Sequence, residues 1–198
     1  NNPINLAQTR GSSGIFIYDN TGDQADVYGL EFEGRKDLFD TETAKLNLNF
    51  NVTKMWFNQD LKENFQYKGK TTTDLQGASD FIVNTSFSFS DKSEKEFVAT
   101  AALNYASDKV SVLGAPEDFA SSETLYNDEI IEKGFVTLDL VVSKKLSEKL
   151  SMRLQGKNLL NPAIEQTQLI RSLIDGVETN ETVVSYKKGS QITLSLNY

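Results

Sequence analysis

Apolar and polar residues alternate with a period of two along most of this chain, and that habit restricts what it can build. Leu46, Leu48, Phe50 and Val52 alternate with Asn47, Asn49, Asn51 and Thr53. Phe81, Val83, Phe87 and Phe89 are set against Asn84, Ser86 and Ser88. Val136, Leu138, Leu140 and Val142 repeat the pattern, as do Ile192, Leu194, Leu196 and Tyr198. A helix would scatter these apolar positions around its circumference, whereas a strand puts each set on one face. With weaker cases included, candidate strands fall near 12–19, 26–38, 43–57, 78–90, 95–107, 133–144, 148–160 and 186–198. Many are long beside the usual five or six residues of a globular strand. About eleven residues, tilted by about 40°, cover the apolar band of an outer-membrane barrel.

Composition removes most other readings. No run of strictly apolar residues exceeds four, Ile15 to Tyr18, so no helix of about 20 apolar residues can cross a bilayer. Barrel strands escape that test, because only every second residue meets lipid. Histidine and cysteine are both absent. The commonest general base, the commonest metal ligand and any disulfide are therefore missing. The 28 acidic against 20 basic residues, a formal charge of −8, argue against nucleic acid as a partner. No catalytic residue, metal site or cofactor is expected. Glu31 and Glu33 share a strand face, but Arg35 beside them reads as an ion partner rather than as part of an acid–base pair. Arg10-Gly11-Ser12-Ser13-Gly14 has no preceding strand or following helix to make it a phosphate cradle.

The connections alternate in length. Short turns near Asp40-Thr41-Glu42, Asp91-Lys92-Ser93-Glu94 and Ser147-Glu148 alternate with links of about twenty residues or more after the third, fifth and seventh strands. Membrane barrels have short periplasmic turns and long extracellular loops. The expectation is an all-β, antiparallel transmembrane β-barrel with its C-terminus periplasmic. Aromatic residues gather toward both strand ends: Trp56, Phe57, Tyr18, Tyr28, Tyr105, Phe135 and Tyr186 at one level, and Phe39, Phe87, Phe89, Phe97 and Tyr198 at the other. Such belts mark the headgroup levels. The polar face would then line a lumen with Glu31, Glu33, Arg35, Asn47, Asn49, Asn51, Asp139, Arg153, Gln155 and Lys157, mainly as wall residues paired with each other or with a plug. The acidic loop from Lys109 to Lys133 reads as solvated, since its carboxylates lack the spacing of a calcium loop.

Three stretches resemble a known family. They are Ala25-Asp-Val-Tyr-Gly-Leu-Glu-Phe-Glu33, Gly156-Lys-Asn-Leu-Leu-Asn-Pro162 and the ending Tyr186-Lys-Lys-Gly189-Ser-Gln-Ile-Thr-Leu-Ser-Leu-Asn-Tyr198. Together they look like the C-terminal part of the barrel of TonB-dependent outer-membrane transporters, with Leu160 and Tyr198 where Phe is more usual. The resemblance implies that residues 1–198 are about eight C-terminal strands of a barrel of about 22. The plug and earlier strands are not represented in the sequence. It also implies uptake of a scarce nutrient (a chelated metal, a cofactor or a glycan) across a Gram-negative outer membrane, powered through a TonB-type transducer. Ile192, Leu194, Leu196 and Tyr198 match the signal that the barrel-assembly machinery reads. The acidic, Asn- and Lys-rich composition suggests a Bacteroidota-like source. Two alternatives compete with this reading. One is a self-contained eight-stranded outer-membrane barrel with a structural or adhesive role. The other is a soluble β-sandwich binding module, which would bury Leu46, Phe50 and Phe87 in a dry centre.

Overall fold

The computed structural model describes residues 2–9, 15–67, 69–94, 96–114, 128–171 and 177–198. In chain order the strands are β1 (Ile4–Gln8), β2 (Phe16–Asn20), β3 (Ala25–Asp40), β4 (Ala44–Asp60), β5 (Thr72–Thr73), β6 (Phe81–Asp91) and β7 (Val98–Ala106). They continue with β8 (Lys109–Val112), β9 (Ile130–Glu132), β10 (Phe135–Ser147), β11 (Leu150–Lys157), β12 (Ala163–Arg171), β13 (Glu178–Lys187) and β14 (Gln191–Asn197). Seven long strands form one antiparallel sheet in the order β14-β11-β10-β7-β6-β4-β3, and the two-residue β5 pairs with the end of β4.

The register carries the alternation across the whole sheet. One row reads Lys36, Leu48, Phe87, Ala101, Leu140, Gly156 and Ile192, each opposite the next. A row three residues along reads Glu33, Asn51, Asn84, Asn104 and Thr137. Directly opposed residues share a face, so the sheet has one apolar and one polar side. The apolar side is uncovered by any described residue: Leu30 is 71%, Leu194 60% and Phe87 42% exposed. A sandwich would have buried that side.

Every fully buried hydrophobic among the described residues lies off this sheet. Ala7, Leu61, Tyr67, Val110 and Leu113 form a small core, with Phe65 and Ile131 against it. This core sits at the long-loop edge, where a second sheet runs β13-β12-β9-β8. Each of its strands continues a wall strand after a short break, so its order copies β14-β11-β10-β7. The breaks have local causes. Asn158 and Asn161 take φ of 53° and 43° before Pro162, which ends β11, and Gly189 takes φ 82° between β13 and β14. The left-handed region suits glycine and asparagine best.

Several sequence expectations change here. Residues 16–20 do form a strand, but β2 pairs with β1 in a separate hairpin, so the wall has seven long strands rather than eight. Residues 12–14 of that candidate lie outside the described residues. The candidates at 148–160 and 186–198 stop or break at Lys157 and between Lys187 and Gln191. The links expected to be loops contain a hairpin, β12–β13, and the pair β8–β9. Phe57 and Phe135 belong to the polar rows by register, and Tyr18 lies in the hairpin; Tyr28 pairs with Trp56 on the apolar side. At the short-turn edge Phe39 meets Phe89 edge-to-face and Phe89 meets Phe97 at a tilt, with centroids 6.5 and 6.2 Å apart.

Phe50 lies over Gly34, where an added Cβ would run into the ring. Gly34→Val therefore forces the ring away and should destabilise the wall by about 1–3 kcal/mol. Urea titration of the folded, heat-modifiable form should show a lower midpoint; an unchanged midpoint would contradict the packing.

Candidate functional site: the polar face

The residues expected to share a polar face are placed by register on one side of the seven-stranded sheet, in two groups. On β3 and β4, a run of side chains links a cation to a carboxylate. Arg35 Nε donates to Asn49 Oδ1 at 2.7 Å, Asn49 Nδ2 to Asn47 Oδ1 at 2.7 Å, and Asn47 Nδ2 to Asp37 Oδ1 at 2.7 Å. Lys45 Nζ closes the run on Asp37 Oδ2 at 2.8 Å. All the amides point the same way, so their dipoles add and each bond polarises the next. Asn51 Nδ2 donates to Glu31, and Thr53 Oγ1 donates to Asn51 Oδ1 at 3.3 Å. Asn49, Asn51, Asn84, Ser86 and Asn104 line a shallow concavity of about 350 Å³ with Glu33. Amides and hydroxyls offer donors and acceptors without fixed charge, a surface that suits hydroxylated or hydrated solutes as well as another protein face.

Arg35 is not the partner expected for Glu31 and Glu33. Its guanidinium is bound across the strand pair to Asn49, and neither glutamate has an ion pair among the described residues. Residues two apart on one strand are farther from each other than residues directly opposite.

The second group stands on β10 and β11. Asp139 Oδ1 accepts the backbone N–H of Asn158 at 2.8 Å, so this carboxylate shapes the end of β11. Asn158 Nδ2 donates to Gly189 O at 2.9 Å, and Gly189 N donates to Asn161 Oδ1 at 3.0 Å, fastening the β13–β14 turn to the same corner. Asp139, Lys157, Asn158, Lys188 and Gln191 surround a concavity of about 430 Å³ there. Arg153, Gln155 and Lys157 stand opposite Ser195, Thr193 and Gln191, without an ion pair among the described residues. Ile192, Leu194 and Leu196 lie on the other, apolar face, and Tyr198 is 97% exposed just beyond the last paired residue, Asn197.

Sequence reasoning missed the polar fastenings at the long-loop edge. Gln76 is held in three ways: it accepts Leu6 N at 2.8 Å and donates to Leu6 O at 2.8 Å and Ser111 O at 2.9 Å. Gln8 and Gln168 both donate to Asp128 O, at 3.3 and 2.7 Å. The end of the acidic loop is thus packed in rather than solvated: Glu129 accepts Thr73 Oγ1 at 2.6 Å and pairs with Lys70 at 3.2 Å. Glu117, Asp118, Glu123 and Arg10–Gly14 lie outside the described residues. Scattered glutamines carry no periodicity, so no pattern in the sequence announces them. Among the described residues, no cluster of three or more metal-ligating side chains occurs, and no helix is long and apolar enough to cross a membrane.

Charges at this edge are tuned by their neighbours. Asp80 is held below the usual carboxylate range by its bonds to Lys54 and Ser107. Burial pushes Asp108 up, but Lys133 and the Gly134 N–H outweigh it and leave it lowered. Burial pushes Asp74 up, with Glu129 and Asp80 adding to it. A lowered carboxylate stabilises the fold above its unfolded value, near 3.9, and loses that contribution as pH falls through the folded value. The junctions at Asp80 and Asp108 should hold from pH 8 to 5 and loosen only below about 4. Both pairs are partly exposed, so Asp108→Asn should cost less than about 1 kcal/mol at pH 7. Amide exchange at Gly134, measured against pH, checks this; loosening that begins near pH 6 would contradict it.

Compared with known proteins, residues 1–159 match the family model described as TonB dependent receptor-like, beta-barrel. No curated protein and no solved structure matches the chain.

Proposed function

The chain belongs to the TonB-dependent receptor β-barrel family, and from that premise we propose that it forms part of the wall of a nutrient transporter. The family is one of outer-membrane transporters of Gram-negative cells, not of enzymes. In the proposed protein the seven-stranded sheet is a C-terminal wall segment, its apolar face against lipid and its polar face toward the lumen. Earlier strands of the same barrel pair with β3 and β14. A plug and a TonB-contacting segment on the same polypeptide receive the energy, and a chelated metal, a cofactor or a glycan is the cargo. Short turns and Tyr198 face the periplasm, the second sheet and long loops face outside, and the composition fits a Bacteroidota-like source.

One observation carries most of this reading: an apolar face, continuous across seven strands, that no described residue covers. In water such a face would associate or aggregate, whereas in a bilayer it is the surface required. Strand length agrees with it. The 17 residues of β4 span roughly 56 Å at about 3.3 Å each, more than the apolar band needs, so the wall projects beyond the membrane. A self-contained small barrel is disfavoured because β3 and β14 each have only one long neighbour among the described residues and do not pair with each other. Unpaired edges within lipid are not viable.

Transport is tested by deleting the gene and measuring growth on limiting iron chelates, corrinoids or glycans, with and without the TonB transducer. A growth defect matched by loss of the transducer is expected; uptake that survives collapse of the proton gradient would overturn the proposal. The two faces are tested on one strand. Leu194→Arg should cost about 2–4 kcal/mol near the bilayer midplane, while Thr193→Arg costs much less. Leu194→Arg and deletion of Tyr198 should both reduce the heat-modifiable form in outer membranes, with Thr193→Arg near wild type. Equal loss from both arginine variants would count against the assignment of faces.

A further inference from the structure

Most cations on the polar face are answered within the protein. Lys45 pairs with Asp37 at 2.8 Å and Asp40 at 3.3 Å, Lys145 pairs with Glu96 at 3.2 Å, and Arg35 is bonded to Asn49. Lys157 and Lys188 are different. Both border the concavity of about 430 Å³ at the corner of β10, β11 and the β13–β14 turn, and neither has an ion pair or a side-chain hydrogen bond among the described residues. The backbone between them fixes their closeness. Asn158, which follows Lys157, donates from Nδ2 to Gly189 O at 2.9 Å, and Gly189 follows Lys188. Asp139 borders the same concavity, with Oδ1 taken by the Asn158 N–H. Two ammonium groups against one carboxylate leave a net single positive charge. Phe135, on the polar side by register, and Pro162 give the concavity an apolar flank, while Thr137 and Gln191 add a hydroxyl and an amide.

Unanswered ammonium groups in a shared hollow favour an anion, and the net charge there matches a singly charged one. An apolar flank beside polar groups suits a pyranose ring, whose C–H face packs on an aromatic side chain while its hydroxyls need donors and acceptors. We propose that this concavity binds a sugar acid, a pyranose bearing one carboxylate. The carboxylate meets Lys157 and Lys188, the ring lies on Phe135 and Pro162, and hydroxyls reach Thr137 and Gln191. Asp139 adds a negative charge that disfavours a doubly charged phosphate ester. Arg153, four residues away along β11, lies outside the concavity and takes no part. The corner stands at the long-loop end of the wall, so it meets an acidic glycan entering the proposed transporter. This inference rests on the reading of the polar face as the lumen.

The test uses the full-length protein that carries this chain, purified in neutral detergent. Glucuronate and galacturonate are compared with glucose, galactose and glucose 6-phosphate by saturation-transfer NMR, with competition giving relative affinities. At least one sugar acid should bind, and bind better than the neutral sugars and the phosphate ester. Lys157→Gln and Lys188→Gln should each weaken binding about threefold, the size of a partly exposed ion pair, and added salt should weaken it as well. Arg153→Gln should leave it unchanged. The proposal is overturned if neither sugar acid binds, if glucose 6-phosphate binds more tightly, or if the Lys157/Lys188 double variant binds undiminished. Equal loss from Arg153→Gln would also overturn it, since diffuse charge would then suffice. A spin label at Leu48→Cys reports separately on the wall, and the chain has no cysteine of its own to confuse the signal. If the label meets oxygen in the bilayer while no sugar acid binds, only this site falls. If sugar acids bind while the label is shielded, the lumen reading falls, and with it the role in transport.

Discussion

The structure depends on an unslipped register. Side chains of a strand alternate, so a shift of one residue anywhere in the middle of the wall would send every apolar group of that strand to the polar face. The described pairings avoid this. In the wall, the irregularities fall between Asp37 and Phe39 and between Lys145 and Ser147, both beside short turns. Between those points and the long-loop edge the rows are unbroken, and the backbone ladder satisfies the groups that lipid could not. Irregularity is otherwise found in the second sheet, at Val110/Val112 and Gln166/Thr167.

That difference in surroundings divides the molecule into regions stabilised by different means. The wall buries almost nothing in itself; its apolar residues are half-buried or exposed among the described residues. The long-loop edge has a small core around Tyr67 and Leu113, closed by glutamine side chains on backbone carbonyls. Fastenings such as Gln76 to Leu6 and Ser111 span 70 and 35 residues of sequence. They bind the first hairpin, the link between β4 and β6, and β8 into one packed unit.

What could be read from the sequence follows the same division. Leu46 to Thr53 announces its strand and its two faces, because its apolar and polar residues alternate without a break. Ala163–Arg171 does not: Ile164 is followed by Glu165, Gln166, Thr167 and Gln168 before Leu169 and Ile170 return. That strand is stabilised by cross-strand partners and by Gln168 reaching Asp128, neither of which leaves a period. The polar-face residues were legible as a set, but their pairing was not. Arg35 answers Asn49 rather than Glu31 or Glu33, and Asp139 caps a turn, because those contacts depend on which residue lies opposite, a fact no single strand contains.

The second sheet copies the neighbour relations of the wall, strand for strand, across the breaks near Asn158–Pro162 and Gly189. Its topology therefore needs no separate search during folding: once the wall has zipped, each outer strand already emerges beside its mate. Such an arrangement tolerates wholesale exchange of the exposed sequence. The outer strands can then change in sequence while the pairing beneath them stays as it is.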